Sequence, residues 1–140
     1  MHDVRELKLG VPCKTRIWLS QRVIDAVGEF RKKGDPNGTF WTKVKRYAIN
    51  GFQNYERGHP SPIRHEWEGV YRVGMVGSLF RIYGFYHGEG RSEFIAIDAT
   101  LKRGTELSAA ERQRIDQVVR VKQQGLWRKV QDEQYPRYTG

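Results

Sequence analysis

The sequence predicts an α+β fold: a short N-terminal strand, a helical hairpin, a three-stranded antiparallel meander and a C-terminal helix. Three observations lead there. Apolar residues recur at helical spacing from Val23 to about residue 56. From Trp67 to Leu101 the apolar period changes to two. Ser108 and Glu111 then form an S-x-x-E box, which opens a helix by satisfying its first backbone N–H groups.

The elements follow in order. "CKTRIWLS" (13–20) alternates polar and apolar residues and reads as the first strand, with Ile17 and Leu19 on one face. Ser20 suits the N-cap of "QRVIDAVGEFRKK", where Val23, Val27 and Phe30 form a stripe broadened by Ile24. Lys32 and Lys33 suit the negative end of that helix. "GDPNG" (34–38) is a loop by composition. Thr39 is the expected cap of a second helix to about residue 56, with Phe40, Trp41, Val44, Tyr47, Ala48, Phe52 and Tyr55 along its apolar face. Two prolines and a glycine in "ERGHPSPIR" end it.

"HEWEGVYRVGMV" (65–76) reads as one strand with Trp67, Tyr71, Val73 and Met75 mainly on one side. "GS" (77–78) makes a tight turn into "LFRIYGFY" (79–86), and "HGEGR" (87–91) a looser one into "SEFIAIDATL" (92–101). The helix opened by Ser108 runs to about Gln124, with a narrow stripe of Ile115, Val118 and Val119. In the tail, 125–140, Trp127 and Val130 can dock before the chain turns polar. Two helices are expected on one sheet face, with the other face open as a concave surface.

The 140 residues are most simply one domain, 1–140, with a core that needs no staple. No apolar run approaches the roughly 18 residues of a membrane span, and the N-terminus lacks a secretory core, so no membrane partner is expected. Cys13 is the sole cysteine, which excludes an internal disulfide and favours a reducing cytoplasm. The formal charge of +9 points to a polyanionic partner, either nucleic acid or an acidic protein surface.

Neither a metal nor a nucleotide cofactor is expected. The four histidines are scattered without ligand spacing, and neither a phosphate-binding P-loop nor a serine-nucleophile elbow occurs. What stands out is a set of cations on the meander: Arg72 and Arg81 in mid-strand, and the pair Lys102-Arg103 where the third strand ends. A long cation among apolar strand residues either reaches solvent, pairs with Glu66, Glu68, Asp98 or Glu106, or converges with others on a phosphate.

"VYRVGMVGSLFRIYGFY" followed by "FIAIDATLKRG" resembles the RelE/ParE superfamily of bacterial toxin–antitoxin toxins, over roughly residues 13 to 124. Tyr71-Arg72, Phe80-Arg81 and Lys102-Arg103 match features of its ribosome-dependent mRNA nucleases, and "KRGTELSAAERQRI" is similar to the HigB-like branch. Gly74 stands where such nucleases often carry a second basic residue. The resemblance implies a single RelE-like domain acting as a metal-independent endoribonuclease, in which the RNA 2′-hydroxyl attacks the adjacent phosphate.

Under that resemblance Arg81 and Arg103 stabilise the phosphorane, and Arg72 neutralises developing charge or holds the backbone. His87, His65 and Tyr83 are the candidate general bases, with His87 the one assigned to the catalytic set. Lys102, Arg64, His65 and Tyr83 would contact nucleic acid. Tyr71, Phe80 and Tyr86 would either stack bases or belong to the core. The implied partners are mRNA on the ribosome and a cognate antitoxin, in a toxin–antitoxin hetero-oligomer or a homodimer. A ParE-like gyrase inhibitor without catalysis, or a basic RNA- or DNA-binding module without toxicity, are the alternatives.

Overall fold

The computed structural model describes residues 1–33, 39–57, 61–74, 80–101 and 108–131. It is α+β: three helices pack on a seven-stranded mixed sheet among these residues. The strands are β1 (His2–Glu6), β2 (Arg16–Ser20), β3 (Ile63–Trp67), β4 (Val70–Val73), β5 (Phe80–His87), β6 (Glu93–Leu101) and β7 (Trp127–Val130). The helices are α1 (Gln21–Lys33), α2 (Thr39–Asn50) and α3 (Ala109–Gln124). Across the sheet the order is β3-β4-β5-β6-β2-β1-β7.

Ser20 caps α1 as expected: its hydroxyl accepts from the Val23 N–H at 3.3 Å and donates to the Ile97 carbonyl at 2.6 Å. One side chain thus fixes both the helix start and its seat against β6. β2 runs parallel to β6, so the first strand does join the meander after the helical excursion. The second helix ends sooner than its periodicity suggests. α2 stops at Asn50, Gly51 takes a φ of 98°, and Phe52–Tyr55 continue as a 3₁₀ turn. Gly51 permits that turn because a left-handed φ costs glycine little. Tyr55 stays on the same apolar face through its ring contact with Tyr47 at 4.5 Å.

The expected three-stranded meander has four strands. Residues 65–76 do not form one strand, because Glu68 (φ 47°) and Gly69 (φ 82°) turn the chain between β3 and β4. Two successive positive φ values make the primed turn that suits strand twist. Asn or Asp usually precedes the glycine there, so Glu-Gly masked the signal. Trp67 consequently lies on the edge strand, across from Val70. The expected turn at residues 77–78 and the loop at 34–38 lie outside the described residues.

The concave open face is also corrected. α1 and α2 bury Val23, Phe30, Phe40, Trp41, Val44 and Tyr47 against one sheet face, where Phe30 stacks on Phe80 with centroids 4.5 Å apart. α3 covers the other, pressing Ile115, Val118, Val119 and Val121 onto Val70, Tyr83, Phe85, Ile95 and Ile97. Each large apolar side chain so buried contributes roughly 1.5–3 kcal/mol, which outweighs leaving either face to water.

α3 starts as read. Ser108 Oγ accepts from the Glu111 N–H at 3.1 Å, and the Glu111 carboxylate accepts from the Ser108 N–H at 3.4 Å. It ends on Gly125 in the left-handed conformation, and β7 follows directly. That strand adds parallel to β1, which itself pairs antiparallel with β2. Part of the expected tail is therefore sheet. Among the described residues no helix is long and apolar enough to cross a membrane.

Candidate nucleic-acid interface

Alternation along β4 and β5 decides where the cations point. Tyr71, Val73, Phe80 and Ile82 belong to the α1/α2 side, whereas Val70 and Tyr83 belong to the α3 side. Period two then sends Arg72 and Arg81 toward the α3 face, and Arg64, directly opposite Arg72, with them. Three arginines on three adjacent strands thus share one face.

Like charges opposite each other on a sheet repel, so the cluster costs stability unless something anionic is present. Glu66 offsets it in part, with Oε1 3.6 Å from Arg72 Nε. That nitrogen is buried and makes no hydrogen bond among the described residues, with the Arg72 side chain 15% exposed. Arg81 is half-buried and donates from Nη1 to the Phe80 carbonyl at 3.0 Å. Burial and the Arg72 charge push its pKa below the usual arginine range, against the opposing pull of Tyr83, Glu111 and Glu66. A guanidinium nevertheless keeps its proton in proteins.

Gly74 explains how Arg81 fits. A Cβ at position 74 would lie 2.8 Å from Arg81 Cδ and 3.1 Å from its Nε. Gly74 therefore opens the space across which Arg81 lies. β6 ends at Leu101, opposite Phe80, the residue before Arg81. Lys102 and Arg103 themselves lie outside the described residues, as does Glu106.

Of the other expected site residues, Tyr83 stands directly opposite Arg72 on the arginines' own face, whereas His87 and His65 lie elsewhere. Tyr83 is fully buried among the α3-side core residues and donates its hydroxyl to Glu111 at 2.5 Å. It cannot contact nucleic acid, and burial together with that hydrogen bond pushes its pKa far up, which also disqualifies it as a base. His87 sits at the far end of β5, six residues or roughly 20 Å from Arg81. There its Nδ1 is 3.0 Å from Glu93 Oε1 and its ring meets the Trp127 edge. His65 faces the α1/α2 side, against Tyr71, and its Nε2 accepts from the Gly69 N–H at 3.1 Å. Phe80 is core, whereas Tyr71 and Tyr86 are half-buried, with the Arg91 guanidinium over the Tyr86 ring.

Asp98, an expected partner for the strand arginines, pairs instead with Arg114 of α3 at 3.1 Å and with Arg22 of α1 at 3.6 Å. No sequence signal announced this, since the helix that carries Arg114 had no expected seat on the sheet. Glu93 was missed because its partners come from strands distant in sequence, one of them in the expected tail. It is 7% exposed and accepts from Trp18 Nε1 at 2.8 Å and from Lys129 Nζ at 2.7 Å, besides its contact with His87. It ties β6 to β2, β5 and β7. Among the described residues no group of three or more His, Cys, Asp or Glu is arranged to hold a metal ion.

Burial alone would raise the Glu93 carboxyl, but hydrogen bonds from Lys129, His87 and Trp18 and the Lys129 charge hold it below its ordinary 4.5. A carboxylate depressed in the folded state stabilises the fold above the unfolded pKa and loses that contribution as pH falls through the folded value. Chemical unfolding monitored by circular dichroism should therefore show Lys129→Met destabilised most at neutral pH. The deficit should shrink as pH falls below the ordinary 4.5 and through the lower value of the folded carboxyl. A deficit that is flat with pH would dismiss this network as a source of stability.

Comparison of the chain with protein-family models, with curated proteins and with solved structures finds no match.

Proposed function

We propose that this chain is a RelE-like toxin that grips mRNA on the ribosome and cleaves it without a metal. The observation that carries the reading is the pair Arg72 and Arg81, on adjacent strands of one sheet face, with Arg81 lying across the space that Gly74 leaves. Half-buried guanidiniums bind phosphate more strongly than solvated ones, because less water competes for the charge. Arg64 extends the cationic track along the backbone.

In this reading the RNA 2′-oxygen forms a bond to phosphorus as its proton passes to a base, and the bond to the 5′-oxygen breaks as that oxygen gains a proton. The products are a 2′,3′-cyclic phosphate and a 5′-hydroxyl. Arg81 and Arg72 stabilise the extra charge on the phosphorane. Glu66, the carboxylate beside Arg72, is the acid–base group this geometry offers, in contrast to His87, His65 and Tyr83. An antitoxin suited to this surface would cover it with acidic and apolar residues. Action on the ribosome would make the protein cytoplasmic, and a toxin–antitoxin complex or a homodimer its resting form.

One observation favours a second reading, a ParE-like inhibitor of DNA gyrase that does not cleave. Tyr83 stands opposite Arg72 but its hydroxyl is sealed against Glu111, and His87 is remote, so neither of these two groups, of the three that the resemblance offered, is free to act beside the arginines. A single experiment separates the two. Purified protein added to a translation reaction should cut mRNA at discrete sites that end in cyclic phosphate. Intact mRNA together with inhibited gyrase supercoiling would select the second reading.

A further inference from the structure

We infer that the cleft between β3 and the first turns of α3 is a nucleobase subsite that takes a guanine of single-stranded RNA. The inference rests on the RNA-binding reading above and adds what that reading lacks, a source of sequence preference. Phosphate contacts hold a strand in place, whereas base contacts specify it.

Trp67 is 57% exposed at the end of the edge strand, although nearly every other large apolar side chain of the described residues is buried or half-buried. It borders a cleft of about 320 Å³ shared with Glu66, Arg112, Ile115 and Asp116. That volume is within the roughly 300–1,000 Å³ of small-ligand sites. Ile115, 3% exposed, supplies an apolar floor, and the indole supplies a flat wall on which a base can stack. Glu66 is common to both sites: it lines the cleft and its carboxylate lies 3.6 Å from Arg72 Nε. A strand whose phosphate sits on Arg72 and Arg81 has its neighbouring base within reach of the cleft.

The polar lining narrows the base. Glu66 and Asp116 accept hydrogen bonds and do not donate, whereas Arg112 donates and does not accept. Guanine is the base with two adjacent donors, N1–H and the N2 amino group, which match one carboxylate. Its O6 and N7 accept from an arginine, the commonest specific base contact. Adenine and cytosine offer a single donor group, and uracil one N–H between two carbonyls that a carboxylate repels.

The full chain, titrated at one ionic strength with labelled uridine hexamers carrying one central guanosine, one inosine or neither, tests this by fluorescence anisotropy. Inosine lacks the N2 amino group. The guanosine hexamer should bind about tenfold tighter than the all-uridine one. Trp67→Ala should weaken it roughly tenfold or more, and Trp67→Phe should retain most of the affinity. Asp116→Asn, on the exposed side of α3, should abolish the preference for guanosine over inosine. Arg72→Ala should weaken all three hexamers alike.

Equal affinities for the three hexamers, still dependent on Arg72, would overturn the base subsite and leave the RNA-binding reading intact. Absence of binding to any hexamer would remove both. If Trp67→Ala left every titration unchanged but altered self-association in sedimentation, the cleft would be a protein contact and the inference would fail.

Discussion

Arg81→Ala is expected to reduce cleavage of translated mRNA by about two to three orders of magnitude, the usual cost of removing one preorganised donor from a developing anion. Stability should change little, and in the favourable direction if at all. Arg81 gives up solvation on burial, and the adjacent Arg72 charge opposes its own. Deleting it relieves that repulsion and leaves a space that opens toward Gly74. The test is a primer-extension or cyclic-phosphate assay alongside a thermal melt. Arg81→Lys should recover only part of the activity, since a compact ammonium cannot bridge two phosphate oxygens as a guanidinium does. Undiminished cutting by Arg81→Ala would move the chemistry off this face. Equal loss of cutting and of folding would show that Arg81 is structural.

Gly84→Ala should have the largest effect on stability. The β5–β6 register shifts between Tyr83 and Gly84, whose partners Asp98 and Ala96 leave Ile97 of β6 as the extra residue. That shift brings the β6 backbone so close that a Cβ at position 84 would lie 2.2 Å from the Ile95 carbonyl oxygen and 2.8 Å from the Phe94 ring. Backbone in the middle of a sheet cannot move aside as a flexible side chain can. Overpacking of this kind costs about 3 kcal/mol or more, a large share of the roughly 5–15 kcal/mol that holds a domain together. The melting midpoint should fall by about 10 °C, or the protein should fail to accumulate in soluble form. A midpoint within 2–3 °C of wild type would mean that β5 and β6 can re-register at that step.

The contrast between Gly74 and Gly84 shows how much of the candidate site could be read without coordinates. Both are glycines in stretches of alternating sequence, Gly74 just after β4 and Gly84 within β5, and neither needs a left-handed φ. At Gly74 the missing Cβ makes room for the flexible end of Arg81; at Gly84 it makes room for another strand's backbone. Nothing local distinguishes them. That Arg72 and Arg81 lie in strands was legible, because strand alternation is a one-dimensional property, but they stand near strand ends, Arg72 third of four in β4 and Arg81 second in β5. Their shared face followed from the same alternation once the register was known. The surroundings of Tyr83 and His87 were not legible, because the Tyr83 hydroxyl is claimed by Glu111 from a helix 28 positions on, and His87 stands at the opposite end of β5 from Arg81.

Local chemistry in the sequence by itself determined the starts of α1 and α3, the α+β class and the strand character of most residues from 80 to 101. Ser20 and the Ser108/Glu111 box act through neighbours at most three residues away, so their roles are written into the chain. Tertiary structure alone decided the rest. β1 carries charge at three of its five positions, Asp3, Arg5 and Glu6, and becomes a strand because β2 and β7 pair with it on either side. The split of residues 65–76 at Glu68-Gly69, the burial of the second sheet face under α3 and the capture of Asp98 and Glu93 all depend on partners distant in sequence. Hydrogen bonds, ion pairs and apolar contacts act through space, and a linear pattern cannot say which segments will share it.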